Sequence, residues 1–323
     1  MKTAGFDYKL PPELIAQTPI EPRDASRLMV VNRNSGGIAH RQFHDLPDFL
    51  RPGDLLVHNE SRVIPARLFA RKPTGGRVEI LLLRQRADDT WEALVGGKRI
   101  RAGLRLALLD GAEGRPIGAE AEVVEAGERG MRVLAFDRPV LPLAEQVGVT
   151  PLPPYIHAPL ENTARYQTIY AHTPGSAAAP TAGLHFTREL LQRLQGMGVR
   201  STFVTLHIGL DTFLPVKEEH VEEHRMHTEY CSLTPEVAKQ VNQARAEGSR
   251  VVAVGTTSVR VLETAACRCQ ASDNRRRIVQ PFEGATDLFI YPSYEFRAVD
   301  TLITNFHLPR STLLMLVAAF TGK

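Results

Sequence analysis

A chain of 323 residues with 43% hydrophobic and 23% charged residues is long enough for two domains with real cores, and its composition is that of an ordinary globular enzyme. A formal net charge of +3 makes no general case for nucleic acid, and the tight run Arg275-Arg276-Arg277 reads as a solvated loop. Cys231, Cys267 and Cys269 cannot complete a disulfide framework, the start lacks an apolar signal core, and no apolar run reaches the roughly eighteen residues of a membrane span, so reduced thiols and a cytoplasmic location are expected.

Pro11, Pro12, Pro19 and Pro22 punctuate the opening. Leu28-Met29-Val30-Val31 then reads as a strand ending in a turn over 32–37, and Asp54-Leu55-Leu56-Val57-His58-Asn59 as another, entered from the Pro52-Gly53 turn. From 61 to 137 the texture changes. Short strand-like runs at 62–70, 77–84, 91–95, 104–108, 121–125 and 131–136 alternate with Gly and Asp turns, which predicts a small barrel or sandwich. The six prolines of 139–159 read as the connection out of it.

Helical spacing follows. Thr187 caps an amphipathic helix over 188–195, a strand occupies 202–207, and Thr234-Pro235-Glu236 opens a second helix with Val237, Val241 and Ala244 on one face. The β-branched run 251–254 passes through Gly255 straight into a helix marked by Val259, Leu262 and Ala266. Strands near 287–291 and 302–306 and a final helix from about 312 complete the chain. The alternation predicts an α/β fold with a mostly parallel sheet, in which residues 1–60 and 150–323 form a discontinuous catalytic domain and 61–149 an inserted small β-barrel.

In open α/β sheets, ligands bind beyond the carboxyl ends of the strands. His207 follows one expected strand, Gly255-Thr256-Thr257-Ser258 a second, and Asn305-Phe306-His307 ends a third, so parallel strands would gather them on one rim. The turn at Gly255 offers hydroxyls and a helix start suited to an anion, with Arg260 one turn further on; an ordinary N-cap would use the same residues. Gly255-Thr256-Thr257-Ser258 lacks the ending of a Walker loop and does not match the dinucleotide fingerprint. Thr181, Gly183 and His185 similarly precede the helix capped by Thr187. His220-Val221-Glu222-Glu223-His224 matches the H-x-x-E-H zinc pattern; on a helix its histidines would share a face, although the charged surroundings equally suit a solvated surface.

Several blocks carry a resemblance. Residues 180–187, Val204-Thr205-Leu206-His207-Ile208-Gly209, Glu223-His224-Arg225-Met226-His227, 254–260 and 304–315 closely resemble the S-adenosylmethionine:tRNA ribosyltransferase-isomerase family. Phe6-Asp7-Tyr8, Asp24-Ala25-Ser26-Arg27-Leu28 and 151–155 are similar to it as well, so the likeness spans nearly the whole chain in order. The sequence departs from the family at Leu210-Asp211 and at Ser293, and it stops at Lys323 where relatives usually run on into another helix and a short aromatic stretch. A shortened chain or a dispensable tail is expected.

The resemblance implies an α/β domain carrying a β-barrel, and an enzyme that uses S-adenosylmethionine as a consumed ribosyl donor. It implies formation of epoxyqueuosine from 7-aminomethyl-7-deazaguanine at the tRNA wobble position, with release of adenine and methionine. His185, His207, His224, His227, Glu229 and His307 become the candidates for proton transfer, with base and acid unassigned among them. Thr181, Gly183, Gly255, Thr256, Thr257, Ser258, Arg260, Asn305 and Arg310 become the substrate-binding candidates, with the Gly255 turn holding either a methionine carboxylate or a tRNA phosphate. The expected partners are tRNA with queuosine-type anticodons and S-adenosylmethionine, with no cofactor, no metal, no membrane and a monomeric state. A tRNA-binding module without catalysis and a zinc hydrolase are the alternatives. Arg260 is expected to be exposed, so that Arg260→Ala costs less than about 1 kcal/mol of stability.

Overall fold

The structure, a computed structural model, describes residues 1–128, 130–209, 215–226, 228–270 and 278–322. Two compact units emerge: Met1–Ser61 with Pro153–His172 and Ala179–Lys323, and Arg62–Leu152 with Thr173–Ala178.

The first unit begins with a hairpin, β1 (Arg27–Val31) antiparallel to β2 (Ile38–Gln42), followed by β3 (Leu55–Asn59). All five residues of β3 are buried, as a central strand covered on both faces requires. The expected run 62–70 then breaks in two, β4 (Ser61–Val63) and β5 (Arg67–Arg71). Pro65 lies between them and has no N–H to give a ladder.

The barrel continues with β6 (Arg77–Ala87), β7 (Thr90–Val95), β8 (Arg105–Leu109), β9 (Pro116–Ala126) and β10 (Met131–Phe136). The order β10-β7-β6-β5-β8-β9 closes on itself with every pairing antiparallel, which leaves no open edge. Alternation fills its interior: Trp91, Ala93 and Val95 of β7 are buried while the residues between them are only half-buried. The proline-rich connection contains a helix that periodicity did not announce, α1 (Val140–Val147). Pro142 sits in its first turn, where the missing N–H costs no helical bond. A short strand, β11 (Thr173–Ser176), pairs with β4.

The remaining elements are α2 (Arg188–Gly196), β12 (Arg200–Leu206), β13 (Glu229–Leu233), α3 (Pro235–Ala246), β14 (Val251–Val254), α4 (Thr256–Gln270), β15 (Phe282–Thr286), β16 (Thr301–Ile303) and α5 (Thr312–Thr321). The sheet order is β15-β13-β12-β3-β14-β16, parallel from β12 to β16 and antiparallel at β13 and β15. Here the structure corrects the sequence reading: residues 287–291 are irregular, and the edge strand is Phe282–Thr286 just before them. An edge strand needs only one buried face, so Glu283 and Ala285 can be exposed and the run lacks an apolar signature. The caps expected at Thr187 and Thr234 are in place, accepting from the N–H of Leu190 and Val237 at the starts of α2 and α3. Ser311 does the same for Leu314 at the start of α5. Among the described residues no helix is long and apolar enough to cross a membrane.

Candidate active site

Because β12, β3, β14 and β16 run parallel, the residues after Leu206, Asn59, Val254 and Ile303 leave the sheet along one rim. Asn59, buried at the end of β3, holds that rim together: its amide donates to the Leu206 carbonyl at 3.0 Å and accepts from the Leu206 N–H at 3.1 Å. Gly255 turns the chain into α4 with φ of +89°, a conformation in which a side chain would be strained. Its N–H donates to the Ile303 carbonyl at 2.7 Å, so this amide belongs to the sheet and is not available to an anion. The loop carrying Thr181, Gly183 and His185 lies against this turn, since a Cβ placed on Gly255 would come 3.8 Å from the Ala182 methyl.

His185 is held at both ring nitrogens. Nδ1 is 2.9 Å from Ser26 Oγ and Nε2 is 3.1 Å from Asn305 Nδ2. With the amide nitrogen donating to Nε2, the ring proton resides on Nδ1 and is given to Ser26. Burial pushes the His185 pKa down, which keeps the ring neutral. Thr187, besides capping α2, donates to Asp24 Oδ2 at 3.0 Å. The loop 180–187 is thus tied to the segment Asp24-Ala25-Ser26 on one side and to Asn305 on the other. Gly183 is required by contact: a Cβ there would lie 2.2 Å from the Tyr170 hydroxyl and 2.8 Å from Thr168 Cγ2.

Three polar atoms on this rim, His207 Nδ1, Thr257 Oγ1 and Asn305 Oδ1, are buried and have no hydrogen-bond partner among the described residues. An unpaired buried polar atom costs on the order of 1–3 kcal/mol; eleven other buried side-chain atoms among the described residues lack a hydrogen-bond partner too, both His58 ring nitrogens among them, and these three differ in lying together at the carboxyl ends of β12, β14 and β16. His207 also stacks on the Tyr230 ring, at 6.1 Å and an interplanar angle of 12°, and burial lowers its pKa to about 4.

Two expectations for the helix start fail. Ser258 is fully buried and donates back to the Val254 carbonyl at 2.9 Å, so its hydroxyl is spent on the backbone. Arg260 is buried rather than exposed: its side chain is 4% accessible and forms an ion pair with Glu229, itself 3% accessible, while Nε donates to the Leu288 carbonyl at 3.2 Å. Glu229 Oε1 accepts the N–H of Gly209 at 3.1 Å, which fixes the chain just past His207. Arg260 and Glu229 therefore position the rim and do not line it. Periodicity missed this because α4 lies across β12 and β13, so even its polar first turn faces protein.

The remaining candidates sit on the segment after β16 and beside it. His307 Nε2 is 3.0 Å from Thr304 Oγ1, the Tyr8 hydroxyl donates to the His307 carbonyl at 2.6 Å, and burial lowers the ring's pKa to about 4. Arg310 is engaged by Asp7, with Nε 2.8 Å from Oδ2. His224 is 3.0 Å from Glu218 and packs edge-on against Phe289. The helix on which His220 and His224 would share a face is not formed, because Val221–Glu223 is a three-residue 3-10 turn between extended residues. Among the described residues no group of three or more His, Cys, Asp or Glu side chains is arranged to hold a metal. His227, like Leu210-Asp211 and Arg275-Arg276-Arg277, lies outside the described residues. Asn59, Ser26 and Tyr8 are not among the expected site residues, although Ser26 and Tyr8 lie in two of the family-like blocks; they hold site residues through polar contacts between distant parts of the chain, which no periodicity shows.

A mostly parallel sheet and a closed antiparallel barrel in one chain define an α/β protein that carries a β-barrel domain. A family profile described as Queuosine biosynthesis protein matches residues 3–323. The chain is 57% identical over 325 residues to the S-adenosylmethionine:tRNA ribosyltransferase-isomerase of Thermus thermophilus, covering 99% of this chain and 91% of that protein. It is 54% identical to the Symbiobacterium thermophilum protein of the same name, covering 100% of this chain and 92% of that one. A crystal structure of an S-adenosylmethionine tRNA ribosyltransferase from Thermotoga maritima matches with a TM-score of 0.51 at 40% identity, over 98% of this chain and 89% of that one. The chain belongs to the queuosine biosynthesis protein family, whose matched members carry the names of transferases.

Proposed function

We propose that this protein transfers and isomerises the ribosyl moiety of S-adenosylmethionine onto 7-aminomethyl-7-deazaguanine at the wobble position of queuosine-type tRNAs. Epoxyqueuosine-tRNA, adenine and methionine are the products. The full-length family match and the names of its relatives support the reaction class. The observation that carries the site is the set of unpartnered atoms, His207 Nδ1, Thr257 Oγ1 and Asn305 Oδ1, along one rim.

The reaction asks for removal of a proton from the carbon beside the sulfonium, protonation of the departing adenine, attack by the aminomethyl group on the ribosyl portion, and cleavage of the carbon–sulfur bond, whose electron pair leaves with methionine as a neutral thioether. In this reading His207 Nδ1 serves the proton transfers. A histidine lowered to about 4 is neutral at pH 7, so it can accept a proton before it donates one. Asn305, oriented by His185, offers its free amide oxygen to a donor on the nucleoside, and the Thr257 hydroxyl takes a polar group of the methionine portion. His185 holds Asn305 and is a positioning residue, since both its ring nitrogens are engaged. His307 and Gly183 keep the rim in place, and Thr181 begins the turn that carries Gly183 and His185. The proposal calls for neither metal nor cofactor, because the sulfonium already activates the neighbouring carbon.

Adenine release measured by chromatography tests this assignment. Replacing His207 with Ala should lower the rate on the order of 10²-fold or more, the usual loss for a proton-transfer group. Thr257→Val and Asn305→Ala should each weaken use of S-adenosylmethionine without unfolding the chain. Three folded variants with the rate of the parent would remove the rim as the site.

A further inference from the structure

Phe306 is the most exposed large hydrophobic side chain among the described residues, at 82% accessible, yet the residues on both sides of it are held by hydrogen bonds. Asn305 before it bonds His185, and His307 after it is held by Thr304 through the ring and by the Tyr8 hydroxyl through the carbonyl. Further along, the Arg310 N–H donates to the Phe6 carbonyl at 2.9 Å, its guanidinium bonds Asp7, and Ser311 Oγ donates to the Leu308 carbonyl at 2.7 Å. A ring displayed at the tip of a fixed loop loses little conformational freedom when a ligand covers it. Tyr8, 43% exposed, reaches the same loop, and the exposed Lys9 that follows it has no ion pair among the described residues.

Resting on the proposed function, we infer that Phe306 is a stacking platform for an unpaired base of the tRNA anticodon loop, with Lys9 available to a neighbouring phosphate. Unpaired loop bases offer open π faces and are commonly read by stacking on aromatic side chains, whereas bases inside a stem have both faces occupied. The adenine of S-adenosylmethionine is the weaker fit. Small-molecule sites are concave and enclose most of the ligand, and a ring that is 82% accessible encloses nothing. It does suit one exposed base of a large ligand whose reacting nucleotide reaches the rim beside Asn305.

The test uses the whole chain and an anticodon stem-loop, with the isolated stem duplex as a second probe. Phe306→Ala should weaken stem-loop binding by about 5- to 150-fold, the range that loss of one base–aromatic stack gives. Phe306→Trp should retain it, and duplex binding should not respond to either change. S-adenosylmethionine affinity, measured by calorimetry without RNA, should not follow the stem-loop loss. Equal stem-loop binding by Phe306→Ala and the parent would overturn the inference. So would a loss of S-adenosylmethionine affinity with stem-loop binding intact, which would assign the ring to adenine. A parent protein that binds the stem-loop through Phe306 but releases no adenine would overturn the proposed reaction and leave the stacking role standing; one that does not bind the stem-loop would overturn the stacking role as well.

Discussion

Arg260 in the first turn of α4 and Glu229 at the start of β13 form a buried ion pair, and the same carboxylate receives the Gly209 N–H just beyond His207. Removing one member of such a pair leaves an uncompensated charge in the interior. Arg260→Ala should therefore destabilise the fold by about 3–5 kcal/mol, far more than the exposed residue expected from sequence. Arg260→Lys should recover only part of this, because an ammonium cannot reproduce the guanidinium bonds to the Leu288 and Thr286 carbonyls. Urea unfolding decides the matter: an unchanged midpoint for Arg260→Ala would contradict the structural role.

His58 is fully buried on β3 among the rings of Tyr170, Phe186 and Phe203, and burial lowers its pKa to about 3. The unfolded chain takes up a proton near pH 6.5 while the folded chain does not. The stabilisation is thus fully present above about 6.5 and is lost as the pH falls through 6.5 towards 3. His207 and His307, lowered to about 4, act in the same direction. Stability should decline from pH 6.5 to 5, above the range where most carboxylates titrate. His58→Phe should make that decline shallower by at most about 1.4 kcal/mol per pH unit, the value of one proton. An identical slope in the variant would show that His58 is not the group responsible.

Gly183 and Tyr170 meet too closely for any side chain at 183, since a Cβ would lie 2.2 Å from the tyrosine hydroxyl. Gly183→Ala should displace the loop that holds His185 and lower both activity and stability, the latter by about 1–3 kcal/mol. Tyr170→Phe removes the offending oxygen, so the double variant should recover part of the loss. Thermal melting of the two singles and the pair provides the cycle. Strict additivity would mean that the hydroxyl is not what the new methyl meets.

Much of the architecture was legible because its signals are local. Caps at Thr187 and Thr234, the buried run Val251–Val254 and the Gly/Asp turns of the barrel each announce themselves within a few residues. β13 and β15, the antiparallel margin of the sheet, escaped detection because strands with one well-covered face place few apolar residues in sequence. The rim was legible as far as strand direction allowed: parallel order brings His207, Gly255 and Asn305 to one side of the sheet. What the rim residues bond to was not legible. Arg260 with Glu229, and His185 with Ser26 and Asn305, join positions 31, 159 and 120 residues apart. Such contacts depend on tertiary packing, and no periodicity records them.

The central claim is that the ribosyl carbons of S-adenosylmethionine, and not its methyl group, end up in the RNA. Finding the sulfonium compound bound would not separate the two chemistries, because both begin from it. Two preparations of S-adenosylmethionine, one labelled in the ribose and one in the methyl group, should be incubated with the protein and tRNA bearing 7-aminomethyl-7-deazaguanine. The expected result is ribose label in the tRNA, methyl label in free methionine, adenine released in equal amount, and no transfer to tRNA with guanine at the wobble position. Methyl label retained on the RNA with S-adenosylhomocysteine as the co-product would contradict it.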